Sequence, residues 1–427
     1  MKIVRIIGRL NVGGPARHVV WLTQGLRDTC ESLLVAGTVP DGEDDMSYFA
    51  RENNVQPIYI PEMSREISWR DVIAVWKLYR LLLRERPDII HTHTAKAGTI
   101  GRIAALWYRW LTLPLFVGRP RRCRVVHTYH GHIFHSYYGP TKTKLFLFIE
   151  RTLARLGTDR IVVVSKQQRK EINETFGVGE KKQFAVIPLG IELKQFANWT
   201  NRRRRFRETL EANDDQIIIG IVGRLTGVKN HSMFLEAIKV FRETQTAGKD
   251  VRFVIIGDGN LRQALERRAT ELGLQTQVTF AGNRNDPENF YPALDIVALT
   301  SLNEGTPLTL IEAMANARPI IATAVGGVVD LLGEPRQRER ASQYTVCERG
   351  ISVPASDAAS FAAGLDHLIS NVELQRDMGQ RAVKFVTENH SKERLVTDVK
   401  NLYRELMQLG SANVPVHSAE NRMESRI

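Results

Sequence analysis

The chain reads as an α/β protein with two doubly wound parallel sheets. Three observations carry that expectation. Short apolar runs alternate with helical stretches along most of the sequence. The alternation lapses into a polar connector near residues 193–205 and then restarts. At 427 residues the chain has room for two or three domains, each with its own core. Such alternation means parallel strands with helices on both faces. Two such sheets facing each other leave a cleft at the carboxyl ends of their strands, where ligands of open α/β sheets bind.

The strands expected in the first half are residues 3–7, 33–36, 58–60, 88–92, 125–129, 161–164 and 185–188. A helix is expected over 69–86, where Val72, Val75, Trp76, Tyr79, Leu82 and Leu83 repeat at three-to-four spacing. After the connector come strands at 217–222, 251–256, 278–281, 295–300 and 319–322. A strong helix follows at about 391–409, and the tail from Gly410 is polar and expected to be disordered. The expected division is therefore 1–195, 196–388, a final helix over 389–409, and a tail over 410–427.

Composition narrows the function. Hydrophobic residues make up 43% and charged residues 25%, an ordinary soluble globular balance. Met1-Lys2 leads straight into the first strand, so no secretory leader is expected. No apolar run is long enough to cross a bilayer as a helix. Cys30, Cys123 and Cys347 are too scattered for a disulfide framework or a metal site, which suits a reducing cytosol. The net charge of +12 admits nucleic acid, an anionic membrane face or phosphate-bearing substrates. Arg102, Arg109, Arg119, Arg121, Arg122 and Arg124 surround residues 103–117, which carry Trp107, Tyr108, Trp110 and Phe116. Two readings stand: a membrane interface, or a partly buried helix followed by a solvated basic loop. The run from Arg202 to Arg205 reads as a solvated helix start. No nucleic-acid module accompanies either run.

The chemistry centres on Ser301-Leu302-Asn303-Glu304-Gly305-Thr306-Pro307-Leu308, which continues to Glu312. It follows an apolar strand and opens a helix, with Thr306 expected as N-cap and Pro307 as the first helical residue. Glu304 then sits on the loop and Glu312 inside the helix, with free N–H groups between them that attract a phosphate. Carboxylates on either side of an anion site suit a nucleotide-sugar, with its hydroxyls on both sides of a diphosphate. Gly13-Gly14-Pro15 after the first strand lets backbone approach an anion, or is a plain tight turn; its spacing is not the dinucleotide fingerprint. Arg224 offers a planar fork and Lys229 a point charge, after the first strand of the second unit. Gly257-Asp258-Gly259 reads mainly as a strand-to-helix turn, and the backbone near Asn283 could edge a nucleobase. Residues 127–135 hold four histidines, but no carboxylate or cysteine completes a metal site there. His130, at a strand end, is the best of them to meet a sugar, whereas His91 reads as a buried, satisfied histidine. No Asp-x-Asp pair occurs to hold a cation for a diphosphate. Arg224, Lys229 and the helix start would do that work, so metal independence is expected.

Together these residues resemble the family 4 retaining glycosyltransferases of the GT-B fold, two Rossmann-like domains across a cleft. The Glu304–Glu312 spacing is similar to that family's Glu-x7-Glu motif, and Gly223-Arg224-Leu225, Lys229 and Gly326-Gly327 fall in the family's order. The resemblance implies that Glu304 contacts the donor hexose, Glu312 the ribose hydroxyls, and Arg224 and Lys229 the diphosphate. Backbone N–H groups of Thr306, Leu308, Gly13 and Gly14 would help, and His130 would reach the C6 side of the hexose. It implies a UDP-sugar donor, with GDP open, no cofactor or metal, and transfer with retention by front-face attack. His91-Thr92-His93-Thr94-Ala95-Lys96 and His130-Gly131-His132 look like the bacterial polysaccharide and lipid-linked glycan members. That implies a polyprenyl-diphosphate saccharide acceptor, met at an anionic membrane on its cytoplasmic face by the first domain. The alternatives are a UDP-N-acetylhexosamine 2-epimerase, for which no further acid-base carboxylates can be assigned, and a non-catalytic nucleotide-sugar-binding protein.

Overall fold

The computed structural model describes residues 1–40, 45–63, 68–111, 120–131, 140–197, 202–246, 248–337 and 343–411. In chain order the first unit is β1 (Lys2–Arg9), α1 (Gly14–Gly25), β2 (Glu31–Gly37), α2 (Ser47–Glu52), β3 (Ile58–Tyr59), α3 (Arg70–Glu85), β4 (Ile89–His93), α4 (Ala95–Trp110), β5 (Arg124–Tyr129), α5 (Pro140–Gly157), β6 (Arg160–Val163), α6 (Lys166–Arg169) and β7 (Phe184–Val186). The second is α7 (Arg203–Thr209), β8 (Ile217–Val222), α8 (His231–Thr244), β9 (Val251–Ile256), α9 (Arg262–Glu271), β10 (Val278–Gly282), α10 (Pro287–Ala293), β11 (Ile296–Leu299), α11 (Leu308–Ala315), β12 (Ile320–Thr323), α12 (Val328–Leu332), β13 (Pro335–Gln337), β14 (Thr345–Cys347), β15 (Gly350–Val353), α13 (Ala358–Ser370) and α14 (Val372–Asn389). A last helix, α15, spans Lys392–Ser411.

The first sheet runs β3-β2-β1-β4-β5-β6-β7 and is parallel throughout. The second runs β10-β9-β8-β11-β12-β15-β14-β13. Its central pairs are parallel, and only the edge from β13 to β15 is antiparallel. The central strands β4, β11 and β12 are buried along their whole length, as helices on both faces demand. The antiparallel edge was not anticipated. β13 and β14 have three residues each, too short for an alternating pattern to register.

Strand order reverses direction between β1 and β4 in the first sheet, and between β8 and β11 in the second. A topological switch point opens a crevice at the carboxyl ends of the strands. The loops after β1, β4, β8 and β11 carry Gly13-Gly14, Thr94-Lys96, Arg224-Lys229 and Glu304 respectively. The motifs picked out by residue type therefore cluster at the two places where such sheets bind ligands.

The two units are tied together by α15. Leu395, Val399, Leu402, Tyr403 and Leu406 pack into one core with Ile3, Leu22, Ile89 and Val126 of the first unit. Burying each such aliphatic side chain contributes roughly 1.5–3 kcal/mol. His91 is satisfied there, with Nδ1 2.5 Å from the Tyr403 hydroxyl and Nε2 2.7 Å from Thr128 Oγ1. Gly410 lies in the last turn of α15 rather than in a tail, and residues 412–427 fall outside the described residues.

The basic aromatic stretch divides. Arg102 is not a surface cation: it is fully buried, and its Nη2 donates to both carboxylate oxygens of Glu150 at 2.7 Å. Its place on the buried face of α4 decides this, because a cation there needs a carboxylate partner. Tyr108 is also buried, while Trp110 is exposed. Arg109 and Arg124 both pair with Asp159, at 3.2 and 3.0 Å. Phe116 and Arg119 lie outside the described residues. Arg203, in the second basic run, pairs with Asp295 at 2.6 Å.

Candidate active site

Glu304 sits on the loop after β11. Its Oε1 accepts from Lys229 Nζ at 2.5 Å and from Ser301 Oγ at 2.6 Å. Lys229 comes from the loop after β8, and the two loops are laced together. Thr300 Oγ1 donates to the carbonyls of Lys229 and Asn230, each at 3.0 Å, and Leu302 N donates to Val228 O at 2.8 Å. So an acid and a base from adjacent parallel strands are fixed side by side at the switch point.

The Glu304 loop is also pressed from both sides. A Cβ on Gly305 would lie 2.0 Å from the carbonyl oxygen of His130, so β5 of the first unit packs its end against this loop. Gly326 has φ +49° and comes so close to Glu304 that a Cβ would overlap its carbonyl oxygen. No other residue type fits these contacts without moving the backbone. The glycines thus bring the backbone at His130 of one unit against the Glu304 loop of the other.

His130 has two companions. Its Nε2 lies 3.1 Å from His93 Nδ1, and its ring centroid lies 4.7 Å from that of His18. One nitrogen from each of the three lies within 4.8 Å of the others. Both ring nitrogens of His18, Nε2 of His93 and Nδ1 of His130 find no hydrogen-bond partner among the described residues. Burial pushes all three imidazoles well below their ordinary range, His130 to about 3. They are neutral at physiological pH, each able to accept one hydrogen bond and donate another. His18 was missed in the sequence. Its only local signal is a polar residue on the buried face of α1. The three meet the ligand count of a metal site, but from three separate segments, with only His130 drawn from the run 127–135. His127 stands apart, with Nδ1 2.8 Å from Thr92 Oγ1, and His132 and His135 lie outside the described residues.

Glu312 is buried in α11, and Arg17 of α1 reaches it across the cleft, with Nη1 2.8 Å from Oε1. Burial pushes the Glu312 carboxyl up, and Arg17 opposes that push. Nothing local in the sequence links these two residues. We expect Arg17→Ala to raise the Glu312 carboxyl further and to destabilise the protein by about 1–2 kcal/mol, below the cost of breaking a fully buried pair because Arg17 is partly exposed. Thermal melts of the variant read the loss. That loss should be larger at pH 8 than at pH 5, because a carboxyl pushed further up costs more stability once it must ionise; an equal loss at both would contradict the coupling.

The helix starts face each other. A Cβ on Gly14, at the start of α1, would come 3.0 Å from Leu308 Cδ1, at the start of α11. Thr306 is not the N-cap. Pro307 occupies that position without a side-chain cap, and Thr306 Oγ1 instead donates to Val164 O of the first unit at 3.4 Å. The packing of the two units claims the hydroxyl, which leaves the helix start open to an anion. Arg224 is exposed, and its side chain has no partner among the described residues. Asn283 is exposed just past the carboxyl end of β10, two strands out from β8.

Paired switch points, a laced acid and base, and opposed helix starts define a two-domain glycosyltransferase of the GT-B fold. The fold matches that of HepE from Anabaena, solved in complex with UDP, with a TM-score of 0.75 and 18% identity over 95% of this chain and 100% of that one. Residues 202–385 match the family model described as glycosyl transferases group 1, and residues 12–195 match glycosyltransferase family 4. The chain is 32% identical over 278 residues to the UDP-Gal:alpha-D-GlcNAc-diphosphoundecaprenol alpha-1,3-galactosyltransferase of Escherichia coli, covering 65% of this chain and 68% of the relative. It is 24% identical to the capsular polysaccharide biosynthesis glycosyltransferase CapM of Staphylococcus aureus, over 86% of this chain and 89% of that relative. The chain belongs to glycosyltransferase family 4.

Proposed function

We propose that this enzyme moves a hexose or N-acetylhexosamine from a UDP-sugar to a polyprenyl-diphosphate-linked saccharide, with retention and without a metal. The observation that carries the reading is the meeting of Lys229, Glu304 and the open start of α11 at one switch point, opposite Gly13-Gly14 at the other and His130 at the end of β5. The diphosphate would lie between Lys229, Arg224 and the N–H groups at Leu308. Glu312, at the far end of that helix turn, suits the ribose, and Glu304 with the neutral histidines suits the hexose hydroxyls.

In the transfer, the acceptor oxygen bonds to the anomeric carbon while the bond from that carbon to the β-phosphate oxygen breaks. The acceptor proton passes to a β-phosphate oxygen, and UDP leaves. Retention follows if attack and departure share one face. Glu304 is engaged by Lys229 and Ser301 and serves as a hydroxyl acceptor rather than a nucleophile. Positive charge fixed by the protein stabilises the leaving diphosphate. The UDP complex of HepE and the acceptor named for the E. coli relative support the donor and acceptor classes.

The test is a UDP-release screen of UDP-sugars and GDP-sugars with lipid-linked saccharide acceptors, run with and without EDTA. We expect turnover with a UDP-sugar, an α-configured product by proton coupling, and no loss in EDTA. Glu304→Ala and Arg224→Ala should each lower turnover at least about tenfold. Turnover that survives in both variants would reject the site. Loss in EDTA restored by manganese would reject metal independence and turn attention to His18, His93 and His130.

A further inference from the structure

The first unit carries an apolar trough that the donor site does not use. It has a volume of about 310 Å³ and lies between α3, α4 and α5. Val72, Val75, Ile103, Trp107, Phe146 and Ile149 line it, and its polar groups gather at Asp71, Lys96 and Thr99. Lys96 Nζ pairs with Asp71 Oδ1 there at 2.7 Å. Lys96 and Ile100 also line a second hollow of about 190 Å³, whose other walls include Gly8, Arg9, Asn11 and Pro15, from the end of β1 to the start of α1. Lys96 and Ile100 therefore stand between the trough and the hollow beside the loop after β1. Asp71, Lys96 and Thr99 are the polar residues of the trough; its other walls are hydrocarbon.

The rims of the trough are apolar and exposed. Trp69 is 72% exposed, Val72 67% and Trp76 52%, all on one face of α3 and its start, and Leu145 and Phe148 stand out from α5. Patches of this kind mark an interaction surface. Arg70, Arg80, Lys142 and Lys144 are exposed among them, and the Arg80 guanidinium lies 5.2 Å from the Trp76 ring centre. No helix among the described residues is long and apolar enough to cross a membrane.

We infer that this trough holds the isoprenoid chain of the acceptor, with the acceptor diphosphate at the Lys96 and Arg9 end. The inference rests on the acceptor class proposed above and gives that class a place. The order of chemistry along the trough, a cation and a hydroxyl at Lys96 and Thr99 and hydrocarbon beyond them, matches a lipid diphosphate with its headgroup toward the loop after β1. From Lys96 to Trp107 the helix rises about 16 Å, which accommodates roughly three isoprene units.

Two measurements on the full chain test this. The first uses farnesyl diphosphate carrying a diazirine on its terminal isoprene, photolysed with the wild type, Val72→Glu and Ile103→Gln. Val72 is exposed, so its variant should fold even if the Ile103 variant does not. We expect labelled peptides from α3, α4 or α5, and at least about tenfold less labelling in Val72→Glu, with UDP affinity within twofold of wild type. Labelling elsewhere, no labelling, or equal labelling in Val72→Glu overturns the assignment. So does loss of binding to anionic vesicles in Val72→Glu without any diazirine labelling of the wild type, since the surface would then meet the bilayer itself.

The second compares transfer to N-acetylglucosamine linked through diphosphate to an undecaprenyl or a hexyl chain. The wild type should favour the long chain by at least about tenfold in kcat/KM, and Val72→Glu should lose most of that preference while keeping its rate on the hexyl acceptor. Equal use of both chains by the wild type overturns the trough but leaves the transferase reading standing. Labelling in the trough with no transfer to either acceptor does the reverse.

Discussion

Replacing Lys229 by alanine should lower kcat/KM for UDP-sugar at least about 100-fold, the scale lost when one group that stabilises a developing negative charge is removed. Lys229 sits at the second sheet's switch point with its amine on Glu304 at 2.5 Å. That amine faces two demands. In the free protein it neutralises a carboxylate whose side chain is only 11% exposed. In the transfer proposed above it would also share its charge with a diphosphate that grows more negative as the sugar leaves. The variant loses both functions. Lys229→Arg keeps the charge but not the compact geometry and should recover part of the loss. Because Lys229 and Glu304 act through one contact, their losses should not add. The Lys229→Ala, Glu304→Ala double variant should be little worse than the poorer single one. Steady-state kinetics and UDP titration of the four proteins measure this. A loss under about fivefold in Lys229→Ala, with UDP affinity unchanged, would mean that the diphosphate lies elsewhere.

Acid should unfold this protein well before its carboxylates titrate. His18, His91, His93 and His127 are held well below the ordinary histidine value by burial, His130 is lowered to about 3, and His231 and His390 to about 4. The sign follows from proton counting. Below the unfolded value near 6.5 the unfolded chain takes up protons at these rings and the native protein does not. Stability is complete above that value and declines as pH falls toward 4 and 3. Each buried ring contributes up to about 1.4 kcal/mol of loss per pH unit in that window. Between pH 7.5 and 5.5 several such rings together should remove a large share of the roughly 5–15 kcal/mol that holds a native fold. Urea unfolding at the two pH values measures the difference. His18→Asn should flatten the slope by about 1 kcal/mol over that interval. A stability that does not change from pH 7.5 to 5.5 would show that these histidines are protonated or solvated in the native state.

Some of the site was legible before the structure. Glu304, Lys229 and Gly13-Gly14 each follow an apolar run, and strand ends in such sheets are where ligands bind. Glycine and charge at those ends were therefore informative by position. Gly305 and Gly326 could not be given roles by type alone. Their contacts, with His130 and with Glu304, come from neighbours far along the chain. Arg102 shows what residue type left open. A basic residue among aromatics fitted a membrane interface or a partly buried helix, and it lies on the inner face of α4 against Glu150.

By itself the sequence determined the two doubly wound sheets, the family and the residues bordering the cleft. Those depend on apolar periodicity and on strand-end chemistry, both of which are local. Only the tertiary structure decided that Arg17 reaches Glu312, that Thr306 turns to Val164, and that His18, His93 and His130 converge. It also decided that three helices leave an apolar trough leading to Lys96. Those pairings depend on how one sheet is set against the other or on how helix faces meet, and no run of neighbouring residues encodes either distance.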